Sequence, residues 1–145
     1  MTYVGFDEVF KQSDFVSIHA PLREETRHRV GARELALMKR SAFLVNTARG
    51  AVVDEAALIR ALAERRIAGA GLDVFEHEPF VEPELLAMSN VVLAPHLGSA
   101  VVELRERMAN IVVDNILAVL AGRQPPNCFN PEVYAADAGR QKTKD

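Results

Sequence analysis

Arg49, Glu78, His96 and Asp73 have side chains and spacing that could act on a small polar molecule. Arg49 lies in Asn46-Thr-Ala-Arg-Gly50, a turn after an apolar run, where a guanidinium could clamp a planar carboxylate and polarise a carbonyl. An arginine in a loop is equally a plain surface residue, and its local sequence leaves both readings open. Glu78 and His96 each follow a strand-like segment and could meet as a carboxylate–imidazolium pair. Such a pair raises a histidine pKa above its usual value of about 6.5, which gives a usable acid near neutral pH. The alternative for a lone histidine after a strand is a structural or exposed role. Asp73, in Gly71-Leu-Asp-Val74, would be costly at a buried strand end unless a donor meets it. A ligand amide is one such donor; a helix cap or a salt bridge is the alternative. His28 and His77 have no partner that the sequence names and are expected in solvent. No set of His, Cys, Asp and Glu has metal-ligand spacing, so no metal site is expected.

Apolar periodicity places these residues on particular elements. Phe6 to Lys11 reads as a short helix, and Phe15-Val-Ser-Ile-His19 as a buried strand halted by Pro21. Ala32 to Lys39 is a second helical pattern, and Ala42-Phe-Leu-Val45 a second strand. Asp54 is placed to cap a helix running to about Arg66, with Leu58 and Leu62 on one face. Ile67 to Phe75 reads as a strand whose Gly69 and Gly71 would let a backbone or a ligand come close. A brief helix over Glu82 to Met88, the strand Val91 to Ala94 and a long helix from Ala100 to Ala121, stopped by Gly122, complete the pattern. Strands alternating with helices indicate parallel βαβ units in an α/β sheet, and ligands of such sheets sit beyond the carboxyl ends of the strands. His19, Asn46 to Arg49, Asp73 to Glu78 and His96 all follow predicted strand ends, so four segments should converge on one edge.

The same residues carry a resemblance. Asp14-Phe-Val-Ser-Ile-His-Ala-Pro-Leu22, Val45-Asn-Thr-Ala-Arg-Gly50, Ala70-Gly-Leu-Asp-Val-Phe-Glu-His-Glu-Pro79 and Pro95-His-Leu-Gly-Ser99 occur in order, and the chain from about residue 3 to 133 resembles the D-isomer-specific 2-hydroxyacid dehydrogenases. The ending Asn127-Cys-Phe-Asn-Pro-Glu-Val133 looks closest to the glyoxylate/hydroxypyruvate reductase branch. The resemblance implies hydride transfer between NAD or NADP and a small 2-oxo or 2-hydroxy acid. By it, Arg49 orients the substrate, His96 donates a proton and Glu78 keeps His96 charged. Asp73 matches the residue that binds the nicotinamide carboxamide, and Ala20, Pro21, Thr47, Ala48, Arg49, His96, Gly98 and Ser99 match cofactor-lining positions. Glu76 is set aside, because the family's acid precedes proline, here Pro79.

The implied architecture is α/β: the second half of a Rossmann-type parallel sheet over residues 1–100, then an interdomain helix and return segment over 101–135, and a flexible tail over 136–145. No G-x-G-x-x-G occurs in the 145 residues, so the phosphate loop and the residue that would choose between NAD and NADP are not in this sequence. The chain reads as the carboxyl-terminal portion of a longer dehydrogenase. The expected alternative is a dinucleotide-sensing, corepressor-like binding protein with the same triad, or an inactive fragment.

Composition bounds the partners. Apolar residues at 49% and charged residues at 26% describe a globular chain with a real core. Seventeen basic residues against twenty acidic ones, with no basic stripe, disfavour nucleic acid. The absence of a leader-like or spanning apolar run disfavours secretion and membrane insertion, and the single cysteine, Cys128, fits a reducing cytoplasm. A homo-oligomer, a dimer in the intact family, is implied by the resemblance.

Overall fold

The structure is a computed structural model that describes residues 2–134, and the expected tail at 136–145 lies outside them. The chain forms two compact units, one ending at Gly98 and one beginning at Ser99.

The first unit runs α1 (Phe6–Gln12), β1 (Phe15–Ile18), α2 (Ala32–Leu37), β2 (Phe43–Asn46), α3 (Glu55–Ala63), β3 (Gly69–Leu72), α4 (Pro83–Ala87) and β4 (Val91–Leu93). The four strands form one parallel sheet in the order β1-β2-β3-β4. Parallel neighbours need a crossover, and helices supply it between each pair. Side chains alternate across the sheet, and Val16, Ile18, Leu44, Ala70 and Leu72 point to the buried face. There they join Leu35, Met38, Leu58, Leu62, Ile67 and Leu85 in one core. Phe15 and Phe43 lie on the other face and stack with ring centroids 5.4 Å apart.

α3 starts where its cap predicts, since the Asp54 carboxylate accepts the Ala57 N–H at 2.9 Å. It ends at Ala63 rather than Arg66. Arg65 takes φ 54° and the Arg66 N–H returns to the Ala61 carbonyl. The Arg66 guanidinium then donates to the carbonyls of Met38 and Ala36, tying this end to α2. β3 is also shorter than the expected Ile67–Phe75. Its partner β2 stops at Asn46, whose side chain accepts the Ala48 N–H and donates to the Arg49 carbonyl and so turns the backbone out of the sheet. Gly69 behaves as expected, because a Cβ there would sit 2.4 Å from the Asn90 carbonyl oxygen. Two 3₁₀ turns, Glu24–Thr26 and Gly50–Val52, were not anticipated from periodicity.

In the second unit, α5 (Val102–Leu120) begins two residues later than expected. Its end is closed by two hydrogen bonds, Gly122 N–H to the Val119 carbonyl and Arg123 N–H to the Ala118 carbonyl, the pattern of a Schellman stop. Asn115 and Asn127 bond each other, anchoring the segment after Gly122 to the helix. Leu104, Met108, Ile111, Val112 and Ile116 are all exposed. Among the described residues no helix is long and apolar enough to cross a membrane.

Candidate active site

The register aligns the strand ends. Ile18 pairs with Asn46, Asn46 with Leu72, and Leu72 with Leu93, so the residues that follow leave the sheet along one edge. In the first unit the four segments therefore converge as anticipated.

Beyond β1, the His19 ring is 2.9 Å from the Ser17 hydroxyl. His19, Ala20, Pro21 and Leu22 line a cleft of about 410 Å3, with Ala48 and Arg49 opposite. The Pro21 carbonyl is already engaged by the Thr26 hydroxyl at 2.7 Å.

Beyond β2, buried Asn46 builds the turn that presents Arg49. Its amide donates to the Arg49 carbonyl at 3.0 Å and its oxygen accepts the Ala48 N–H at 3.1 Å. The sequence marks Asn46 only as a turn residue, and nothing in its local pattern signals its role as the scaffold of Arg49. Thr47 is exposed, and so is Arg49, whose Nη1 donates to the Ala48 carbonyl at 2.6 Å. Both polar backbone groups of Ala48 thus serve the protein. Gly50 lies against the Phe75–Glu76 peptide so closely that a Cβ would fall 1.9 Å from the Phe75 carbonyl carbon. Only glycine permits that approach.

Beyond β3, Glu78 closes a short turn. Its Oε1 accepts the Phe75 N–H at 3.0 Å and its Oε2 lies 2.8 Å from His96 Nδ1. Burial pushes the Glu78 carboxyl up, but the His96 and Phe75 hydrogen bonds and the charges of His96 and Arg49 hold it net below its ordinary value. The pair faces a cleft of about 400 Å3 walled by Phe75, Pro79, Val81 and Pro95. The Glu78–Pro79 peptide bond is cis.

Beyond β4, His96 occupies the left-handed region at φ 55°, a conformation that costs a non-glycine residue roughly 1–3 kcal/mol. Asp73 compensates. Its carbonyl accepts the His96 N–H at 2.9 Å and its Oδ1 accepts the Leu97 N–H at 2.7 Å. One carboxylate oxygen of Asp73 therefore shapes the histidine turn, a function the sequence did not suggest. Oδ2 makes no hydrogen bond among the described residues, and Gly98 borders it with no side chain: a Cβ built there would be 3.9 Å away. Ser99 belongs to the second unit, where its carbonyl accepts from Arg105 Nε at 3.1 Å.

The residues match a known pattern. The description "D-isomer specific 2-hydroxyacid dehydrogenase, NAD binding domain" fits residues 1–98. The chain belongs to the D-isomer specific 2-hydroxyacid dehydrogenase family. It is 56% identical over 134 residues to the glyoxylate reductase of Thermococcus litoralis, a match covering 92% of this chain and 40% of that one. Among solved structures, a protein of Thermus thermophilus superposes with a TM-score of 0.82 at 49% identity, over 86% of this chain and 40% of that one. An NADPH-dependent glyoxylate/hydroxypyruvate reductase from Sinorhizobium meliloti, in complex with NADP and malonate, superposes with a TM-score of 0.75 at 43% identity, over 77% of this chain and 35% of that one. The chain spans about 40% of the length of the curated relatives it matches.

One expectation is met only in part. His28 is exposed, as expected, but it has a partner that the sequence does not name: its Nε2 lies 2.6 Å from Glu76 Oε1, which also accepts from Arg27 Nη2 at 2.9 Å. The Glu76 side chain is only 8% exposed. His77 is exposed, as expected.

Proposed function

We propose that this chain supplies the nicotinamide side of a reductase that transfers a hydride from NADH or NADPH to a small 2-oxo acid, with glyoxylate and hydroxypyruvate as the substrate class. The observation that carries this reading is the Glu78–His96 contact of 2.8 Å on the strand edge that also presents Arg49. Arg49 takes the substrate carboxylate and polarises the adjacent carbonyl with its planar fork. His96 gives its proton to the carbonyl oxygen as charge develops there, and the Glu78 carboxylate stabilises the imidazolium that must be present beforehand. Both side chains are partly exposed, so a closed cleft is needed to exclude water from the step.

Asp73 fits the cofactor's carboxamide: Oδ2 is an acceptor without a protein donor among the described residues, and bare Gly98 leaves room beside it. Ala20, Pro21, Thr47 and Ala48 line the same edge, with Ala48 and Pro21 contributing shape rather than free polar groups. When bound, the cofactor supplies the hydride. Ser99 is retained as a cofactor-lining position on the family resemblance.

The first unit is the carboxyl-terminal half of a dinucleotide-binding domain, and α5 carries the chain to a further domain. The exposed apolar positions Leu104, Met108, Ile111, Val112 and Ile116 support a helix covered in the whole protein. We assign that protein to the cytoplasm, as a homodimer.

The test is turnover of glyoxylate and hydroxypyruvate with NADH and NADPH, in enzyme carrying the complete cleft. His96→Ala should lower kcat by about 10²- to 10⁴-fold with KM little changed, because the proton is needed mainly in the transition state. Tight cofactor binding with negligible turnover of every 2-oxo acid would instead indicate a dinucleotide sensor, and a near-wild-type kcat in the variant would remove His96 from the chemistry.

A further inference from the structure

Glu76 does not line the cleft that Glu78 and His96 face, yet both of its carboxylate oxygens are held by other elements of the unit. Its Oε1 receives Arg27 at 2.9 Å and His28 at 2.6 Å, from the loop that follows β1. Its Oε2 accepts the Glu55 N–H at 3.4 Å at the start of α3, and Glu55 returns the bond by accepting the Glu76 N–H at 3.1 Å. This reciprocal pair fixes both the side chain and the backbone of Glu76. The adjoining Phe75–Glu76 peptide is the surface on which Gly50, next to Arg49, is seated. The preceding N–H, that of Phe75, is the one that holds Glu78 Oε1.

We propose that Glu76 is a positioning residue, which clamps the turn bearing Glu78 to the loop after β1 and to α3, and so holds the Glu78 carboxylate on His96. The inference rests on the reading of Glu78 and His96 as the proton-donating pair. Its physical basis is the length of the turn. Glu78 is two residues from Glu76, so displacement of the Glu76 backbone is passed on to the Glu78 carboxylate with little slack. A misplacement of about 1 Å in a catalytic group can cost on the order of 10²-fold in rate. The charged groups around the clamp are Arg27 and His28 on one side and Glu55 on the other. His77 and Glu82 also act on Glu55.

The sign of one titration separates positioning from simple charge effects. Removing the Glu76 charge would by itself lower the Glu78 carboxyl further, since a nearby negative charge is lost. Loosening the turn would raise it, since the His96 and Phe75 donors withdraw. The experiment follows the Glu78 carboxyl carbon by NMR against pH in the 145-residue chain. The variants are Glu76→Ala, Glu76→Asp, Glu76→Gln and His96→Ala.

His96→Ala should move the Glu78 titration up. Glu76→Ala should move it up by a comparable amount. Glu76→Asp keeps the charge, shortens the reach and is the milder change should the alanine variant fail to fold; it should move the titration in the same direction by less. Glu76→Gln, which keeps the shape, should leave it at or below the wild-type position. A downward or absent shift in both Glu76→Ala and Glu76→Asp, with His96→Ala shifting as stated, would overturn the positioning role alone. No shift in His96→Ala would overturn the proton-donating pair, and this inference with it.

Discussion

The turn after β3 carries two carboxylates in different surroundings. Glu76, 8% exposed, gives both oxygens to the scaffold, whereas Glu78, 35% exposed, gives one oxygen to its own turn and the other to His96. Partners of Glu76 come from Arg27, His28 and Glu55, while the two partners of Glu78 lie on elements that border the cleft. The difference teaches that a carboxylate's task is set by what surrounds it rather than by its place in a motif. A buried, fully bonded group resists movement and suits support; a half-exposed group with one oxygen on an imidazole is free to tune a proton.

The most severe way to break this division is Gly50→Ala. A methyl there would meet the Phe75–Glu76 peptide at 1.9–2.4 Å, so backbone has to move, and the support and the proton pair are displaced together. We expect a loss of about 3 kcal/mol in stability, read as a lower urea midpoint with unchanged slope.

A smaller effect sharpens the comparison. Burial, partly opposed by the Glu76 N–H and reinforced by the Glu76 charge, pushes the Glu55 carboxyl above its ordinary value. A raised acid binds protons more readily folded than unfolded, so Glu55 favours the fold at low pH and that contribution is lost as pH rises through the window above 4.5. Glu78, held low, has the opposite sign: it favours the fold above 4.5 and loses that contribution as pH falls. Glu55→Gln should therefore stabilise the chain at neutral pH by less than about 1 kcal/mol, an advantage that shrinks on acidification. Thermal unfolding from pH 7 to pH 4 checks this.

Much of the fold was legible because its signals are local. Asp54 announces a cap, apolar runs of strand length mark β1, β2 and β4, and Gly122 marks the end of α5. The site was legible where it follows strand ends, since parallel sheets collect such residues on one edge. What stayed hidden depends on contacts between distant segments. Nothing near His28 reveals that Glu76, 48 positions on, will bond it. Nor does the sequence near Asp73 disclose that its carboxylate shapes the turn at Leu97. The extent of β3 is overestimated from the sequence for a related reason, because pairing ends when the neighbouring strand turns away, as β2 does at Asn46.

Whether Glu78 tunes His96 as the proton donor for carbonyl reduction is tested most directly by the pH dependence of the reductive rate in Glu78→Gln, again in enzyme with the complete cleft. The Glu78 carboxyl is held low by the hydrogen bond and charge of His96 among other groups, and the amide lacks that charge coupling, so the falling limb of the profile should move to lower pH. A profile superimposable on that of the unaltered enzyme would mean that another group supplies the proton and would contradict the role given to the Glu78–His96 pair.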